Sequence, residues 1–330
     1  RGRPEGEGEG MNAGGVLAGE IWRAVRPVDR LQRLLWWCGT VLLTSGVLHG
    51  LVAVVDGSPW WGPVSWRKPV AFGVSFGVLV WSVVWILRGL PARWWVRVPA
   101  GLVVGTSVAE TALITAQRWR GVASHFNQAT DTDAAVWSVI GTLILPLILG
   151  LVWLLVAVLV RFDGSPASRV AAVVGLAAVL VAGYIGSDMA ALGEAAFDET
   201  GQVPREVLFG AAGSAKLAHA TGLHGLQLLA LIAIVCDAGA LRPRTAGAVV
   251  AAAAAGYAAV LSAVTATAYA GRAPFDATAP LWALLACGAL LTGAAATVAV
   301  VHAAPARRVP DPVATPLGGP LPERSGRQPG

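Results

Sequence analysis

Charged residues are scarce in this chain. Asp, Glu, Lys and Arg make up 13% of its 330 residues, about half the share of a soluble domain. With 55% apolar residues, that shortage excludes a disordered chain and an ordinary soluble enzyme. Cysteine is also rare. Cys38, Cys236 and Cys287 lie inside or at the ends of apolar runs. Their spacing suits no metal, so they read as small core hydrophobes rather than a disulfide framework. A concentrated basic patch is missing: a net charge of +5 is spread along the whole chain, which argues against nucleic-acid binding. No two histidines stand four apart beside a glutamate, as a zinc protease requires. No internal repeat is visible, which weakens an inverted-repeat transporter reading. Residues 11–33 lack a continuous apolar stretch, so no signal peptide is expected, and Met11 after RGRPEGEGEG reads as the start.

Long apolar runs are abundant. Eight lie near 34–55, 69–90, 98–117, 134–160, 168–187, 215–236, 245–270 and 279–301. Each approaches the 20 or so residues that span a bilayer as a helix. The expected fold is an all-α bundle of about eight transmembrane helices over 34–301. A cytoplasmic segment, 1–33, precedes it and a Pro/Gly/Arg-rich disordered tail, 302–330, follows. The stretch from Ser187 to Ser214 reads as the longest loop, with room for a short interfacial helix. Lys and Arg divide seventeen to seven between the two sides. The positive-inside rule therefore places both termini in the cytoplasm. The expected location is the inner (plasma) membrane of the cell, as a multi-pass protein with the lipid bilayer as its partner.

Ionisable groups inside a membrane are costly, and each is a functional candidate. Here they gather toward one end. Cys38, Ser45, His49 and Asp56 repeat at four or seven residues in the first span, and so share a face. Lys68, Ser75 and Ser82 do the same in the second. Glu110 lies seven residues before Gln117, roughly 10 Å below the outer end of the third span. The next loop runs Gln117-Arg118-Trp119-Arg120-Gly121-Val122-Ala123-Ser124-His125-Phe126-Asn127. Asp131 or Thr132 is expected to cap the helix after it. The sixth span opens with Lys216, His219, His224 and Gln227. His219 and His224 point about 140° apart on a helix, so they cannot grip one ion together. The bland alternatives are explicit: Glu110 pairing with Lys68, Arg120 or Lys216, and His49 as a satisfied core histidine.

Three motifs carry a resemblance. Lys68-Pro69-x-x-Phe72-x-x-Ser75, Gln117-x-x-Arg120-Gly121-x-x-Ser124-His125-Phe126-Asn127 and His219-x-x-Gly222-Leu223-His224-x-Leu226-Gln227 together resemble an uncharacterised family of bacterial polytopic membrane proteins. The likeness covers residues 34–236. It implies a shared site at the outer face and supplies no reaction. Where relatives carry an acidic residue and an arginine, this chain has Ser214 and Lys216.

Four functions compete. In a membrane redox or metal protein, His49 and His224 would hold haem or a divalent metal. Glu110 would then accept protons, and Arg120 would hold an anion or a small-molecule or quinone ligand. In a proton-coupled transporter or permease, Glu110 would carry the proton. In a metal-assisted hydrolase or transferase acting on lipid head groups of the outer leaflet, Glu110, His125, Asp188 and the histidines would form the site. In a structural or assembly protein, the polar network would only lock the bundle. Lys68, Gln117, Asn127, His219 and Gln227 complete the expected site. The oligomeric state is open.

Overall fold

The computed structural model describes residues 13–239 and 241–303. Among them lie nine α-helices and no strand: α1 (Ala13–Val25), α2 (Arg30–Asp56), α3 (Arg67–Arg88), α4 (Trp94–Trp119), α5 (Asp131–Arg161), α6 (Pro166–Thr200), α7 (Lys216–Ala238), α8 (Pro243–Tyr269) and α9 (Ala279–His302). Helices α2 to α9 are each long and apolar enough to cross a membrane. The chain is therefore an integral, multi-span membrane protein. The expected tail lies mostly outside the described residues.

Local chemistry sets the boundaries. Asp29 begins α2 by accepting a hydrogen bond from the Gln32 N–H, while the Gln32 side chain accepts one from Val28 N–H. The first bond satisfies a donor that helix geometry leaves orphaned, and the second ties the residue before the cap to the first turn. Gly57 then stops α2 in the left-handed conformation, where an L side chain would be strained. Thr130 caps α5, accepting from the Asp133 N–H, and its hydroxyl donates to the Asp133 carboxylate at 2.8 Å. The cap is thus Thr130, rather than Asp131 or Thr132. Its side chain alone sits one position before the first helical residue, with an acid three residues on.

One sequence expectation needs correcting. The fifth span does not stop near residue 187: α6 continues to Thr200. The alanines of this stretch are strong helix formers, and its polar side chains point outward, so nothing breaks the helix before Gly201 turns left-handed. The N-terminal segment also holds a helix, α1, which packs against α3 and α7. Trp22 meets Trp36 edge-on, and Arg88 donates to the Arg26 carbonyl at 2.7 Å.

Helices α3 and α7 share the centre: α3 packs on α1, α2, α4 and α7, and α7 also on α1, α6, α8 and α9. Their most apolar stretches are 61% and 56% buried, against 17% for α2 and α9. Those two peripheral helices leave broad apolar faces for lipid. Without much water to exclude between helices, close backbone approach drives their association. Gly39, Gly46, Gly73 and Gly77 supply it between α2 and α3: a methyl at Gly73 would lie 2.8 Å from Gly46 Cα and from Leu42 O. Gly256 and Gly288 do the same for α8 and α9. Cys236 is buried and Cys38 partly so, but Cys287 is exposed on α9. It faces the surroundings of the bundle instead of its core.

Candidate functional site

The polar residues collect at the end of the bundle formed by the loops 57–66, 120–130 and 201–215. They form three groups rather than one.

The first ties α2, the 57–66 loop and α4 together. His49 donates from Nδ1 to the Ser45 carbonyl at 2.7 Å, and its Nε2 accepts from the Trp119 indole at 3.0 Å. Both ring nitrogens are therefore engaged. Trp66 donates to Asp56 at 2.8 Å, and Arg118 reaches the same carboxylate at 3.2 Å while lying 4.0 Å from the Trp66 ring centre. A cation over an indole face, beside a carboxylate, is held from two directions. Trp66 and Arg118 escape a search for periodic polar faces, because they sit at helix ends. Their only signals are the basic–aromatic clusters Trp66-Arg67-Lys68 and Arg118-Trp119-Arg120.

The second group frames the loop that carries His125. Asp133, 3% exposed, accepts from Gln117 Nε2 at 3.0 Å and from Arg120 Nη1 at 2.9 Å. Arg120 also donates to the Gln117 side-chain oxygen. Buried Asn127 donates to the Ala123 carbonyl at 3.1 Å and accepts from Ala129 N–H at 3.2 Å. Gln117, Arg120 and Asn127 are thus spent on holding the loop in shape. The loop's strained point is Phe126, whose φ is 58°. Its ring fills the space above Gly193, where a methyl would come within 2.2 Å of it.

The third group lies between α3, α7 and that loop. Lys68, Phe72 and Ser75 follow one face of α3. The Phe72 ring stands 5.8 Å from His125, and His125 stands 5.3 Å from Trp137. Ser75 lies 3.4 Å from His224 Nε2. His219 donates from Nδ1 to the Ala182 carbonyl of α6 at 2.8 Å, and is near enough to His224 for their charges to interact. The amide of Gln227 turns back on its own helix, toward the Leu223 and His224 carbonyls, so it contributes nothing to the others. Burial, and then the positive charge of Lys68, hold His125 neutral, pushing its pKa down to about 3. Its Nδ1 hydrogen-bonds Ser124 at 2.9 Å.

Lys68 makes no hydrogen bond or ion pair among the described residues, although it is partly buried. It lies within electrostatic reach of two more cations, Arg67 and Lys216. Lys216 is paired with Glu206 at 3.0 Å, and Arg67 lies over the Trp61 ring.

Glu110 stands apart. It is 3% exposed on α4, and its Oε2 is buried with no partner. The expected ion pairs are not formed: Arg120 is engaged by Asp133, Lys216 by Glu206, and Lys68 bonds to nothing. Among the described residues no three His, Cys, Asp or Glu side chains are grouped to hold a metal. His49 and His224 share no hydrogen-bonding or ring neighbour.

Comparison with family models, with curated proteins and with solved structures finds no match to this chain. The three-motif resemblance therefore reduces to its coarser content, a polytopic helical membrane protein.

Proposed function

We propose that the protein is a proton-coupled transporter whose coupling residue is Glu110, with its solute-binding end facing the extracytoplasmic side. One observation carries this reading: a carboxyl group sealed inside a membrane helix bundle with an orphaned oxygen and no cation beside it. Such a group is costly as a bare anion. Proton uptake or a passing cation relieves that cost, and a group with two states of different cost is what coupling needs. A purely structural carboxylate would be paired, as Asp133 and Asp56 are. The sidedness rests on the seventeen-to-seven split of Lys and Arg.

The redox and metal reading has less support, because His49 has already given its lone pair to the Trp119 indole. The hydrolase reading needs Glu110, His125 and Asp188 together, yet Asp188 accepts from Tyr269 of α8 at 2.6 Å while His125 faces Phe72 and Trp137.

The test uses proteoliposomes containing a pH dye under an imposed membrane potential. Solutes that bind the purified protein are added outside. Solute-dependent acidification that disappears in Glu110→Gln, with binding retained, is the expected result. Acidification that survives Glu110→Gln, or bound solutes that move no protons, would overturn the proposal.

A further inference from the structure

The third group contains what a coupling carboxyl does not explain: a cation without a counter-charge. Most other basic side chains at this end are engaged, the exposed Arg205 of the 201–215 loop excepted. Arg118 is held by Asp56, Arg120 by Asp133, Lys216 by Glu206 and Arg67 by the Trp61 ring. Among the described residues, Lys68 is the partly buried one of this end with no hydrogen bond, ion pair or ring contact. It stands at the head of the α3 face that continues through Phe72 to Ser75. Behind it lie a neutral imidazole, His125, and two aromatic rings, Phe72 and Trp137. Below it, the Ser75–His224 contact is long at 3.4 Å, so both groups keep hydrogen-bonding capacity for something else. All six side chains are only partly buried. One ammonium, two weakly engaged polar groups and apolar aromatic walls match an ion with one charged end and an apolar body.

We infer that the group formed by Lys68, Phe72, Ser75, His125, Trp137 and His224 binds a small organic carboxylate with an apolar body. The carboxylate pairs with Lys68, and the body packs against Phe72 and Trp137. A lysine is a compact point charge suited to a single carboxylate; a phosphate dianion is better met by a guanidinium fork, and no arginine belongs to this group. The inference deepens the transporter reading and rests on it for its biological sense. Its binding test stands alone.

Equilibrium binding of radiolabelled benzoate to the purified full chain in nanodiscs is the measurement. Saturable binding is expected, weakened about ten- to a hundredfold in Lys68→Met, which keeps the stem and removes the charge. The control Arg205→Met, at an exposed position of the 201–215 loop, binds as the unchanged protein does. On the unchanged protein, acetate competes weakly, inorganic phosphate more weakly still, and neutral benzamide least, so the result does not depend on Lys68→Met folding. Absence of saturable benzoate binding, or binding unaffected by Lys68→Met, would overturn the inference. So would benzamide competing as well as benzoate, or phosphate competing better than acetate. If benzoate fails while another solute drives Glu110-dependent proton entry, the carboxylate site falls and the coupling reading stands. If benzoate binds but its proton entry survives Glu110→Gln, the reverse holds.

Discussion

Replacing Gly73 with alanine tests the packing that positions this end of the bundle. The added methyl would lie 2.8 Å from Gly46 Cα, Gly46 N and Leu42 O. All three are backbone atoms of α2, so no side-chain rotation can relieve the contact. Ordinary carbon contacts are about 3.5–4.0 Å, so α2 must retreat from α3 by roughly 1 Å. Overpacking of this kind costs about 1–3 kcal/mol, and a clash limited by backbone falls at the upper end. Gly105→Ala on α4 is the control, since a methyl there meets nothing within 4 Å. Both changes gain the same helix propensity, about 1 kcal/mol. Propensity cancels in the comparison, and Gly73→Ala should be less stable than Gly105→Ala by about 2–3 kcal/mol. The readout is helical circular dichroism during SDS titration in mixed micelles, because 14 tryptophans blur fluorescence. Equal midpoints for the two variants would show that α2 does not rest on α3 through these glycines.

Three further outcomes follow from the same geometry. Glu110→Leu should leave the unfolding midpoint unchanged or raise stability by up to about 2 kcal/mol, since it removes an unsatisfied buried group; a clear loss would mean that Glu110 is a structural tie. His49→Ala should cost about 1 kcal/mol through the lost Trp119 bond and leave iron, zinc and copper per chain, by elemental analysis, as in the unchanged protein. A stoichiometric metal lost in that variant would restore the metal reading. His125 should show no titration between pH 5 and 8 in the NMR spectrum of ring-labelled protein. Its pKa, about 3 when folded, lies below the ordinary 6.5. The unfolded chain therefore binds the extra proton, and this group's share of stability falls as pH drops from 6.5 toward 3. A His125 resonance moving with a midpoint near 6.5 would contradict its enclosure.

The architecture was legible because bilayer thickness imposes a length that composition alone reveals. Eight apolar runs became eight long helices; of the expected face Lys68, Ser75 and Ser82, Ser75 meets His224 while Ser82 donates to its own helix at the Val78 carbonyl. What escaped lies where periodicity carries no information. Helix α1 is 13 residues long, too short to register as a span. The extension of α6 to Thr200 is polar on its outer side, and an amphipathic continuation reads like a loop once the apolar run ends. The site was half legible for a related reason. Spacing along a helix tells which side chains share a face, yet not which neighbour consumes them. Gln117, Arg120 and Asn127 share the loop motif with His125, but hydrogen bonding spends them on the loop itself. His49 likewise shares a face with Asp56, and its lone pair goes to Trp119. Among the candidate residues, removing such satisfied groups leaves Glu110 and Lys68, on neighbouring helices, as the acid and the base with no hydrogen bond or ion pair among the described residues. A bundle that pairs buried Asp133, and gives Arg118, Arg120 and Lys216 acidic partners, yet leaves this acid and this base unmet, has kept those two for something that comes and goes: a proton for one, an anion for the other.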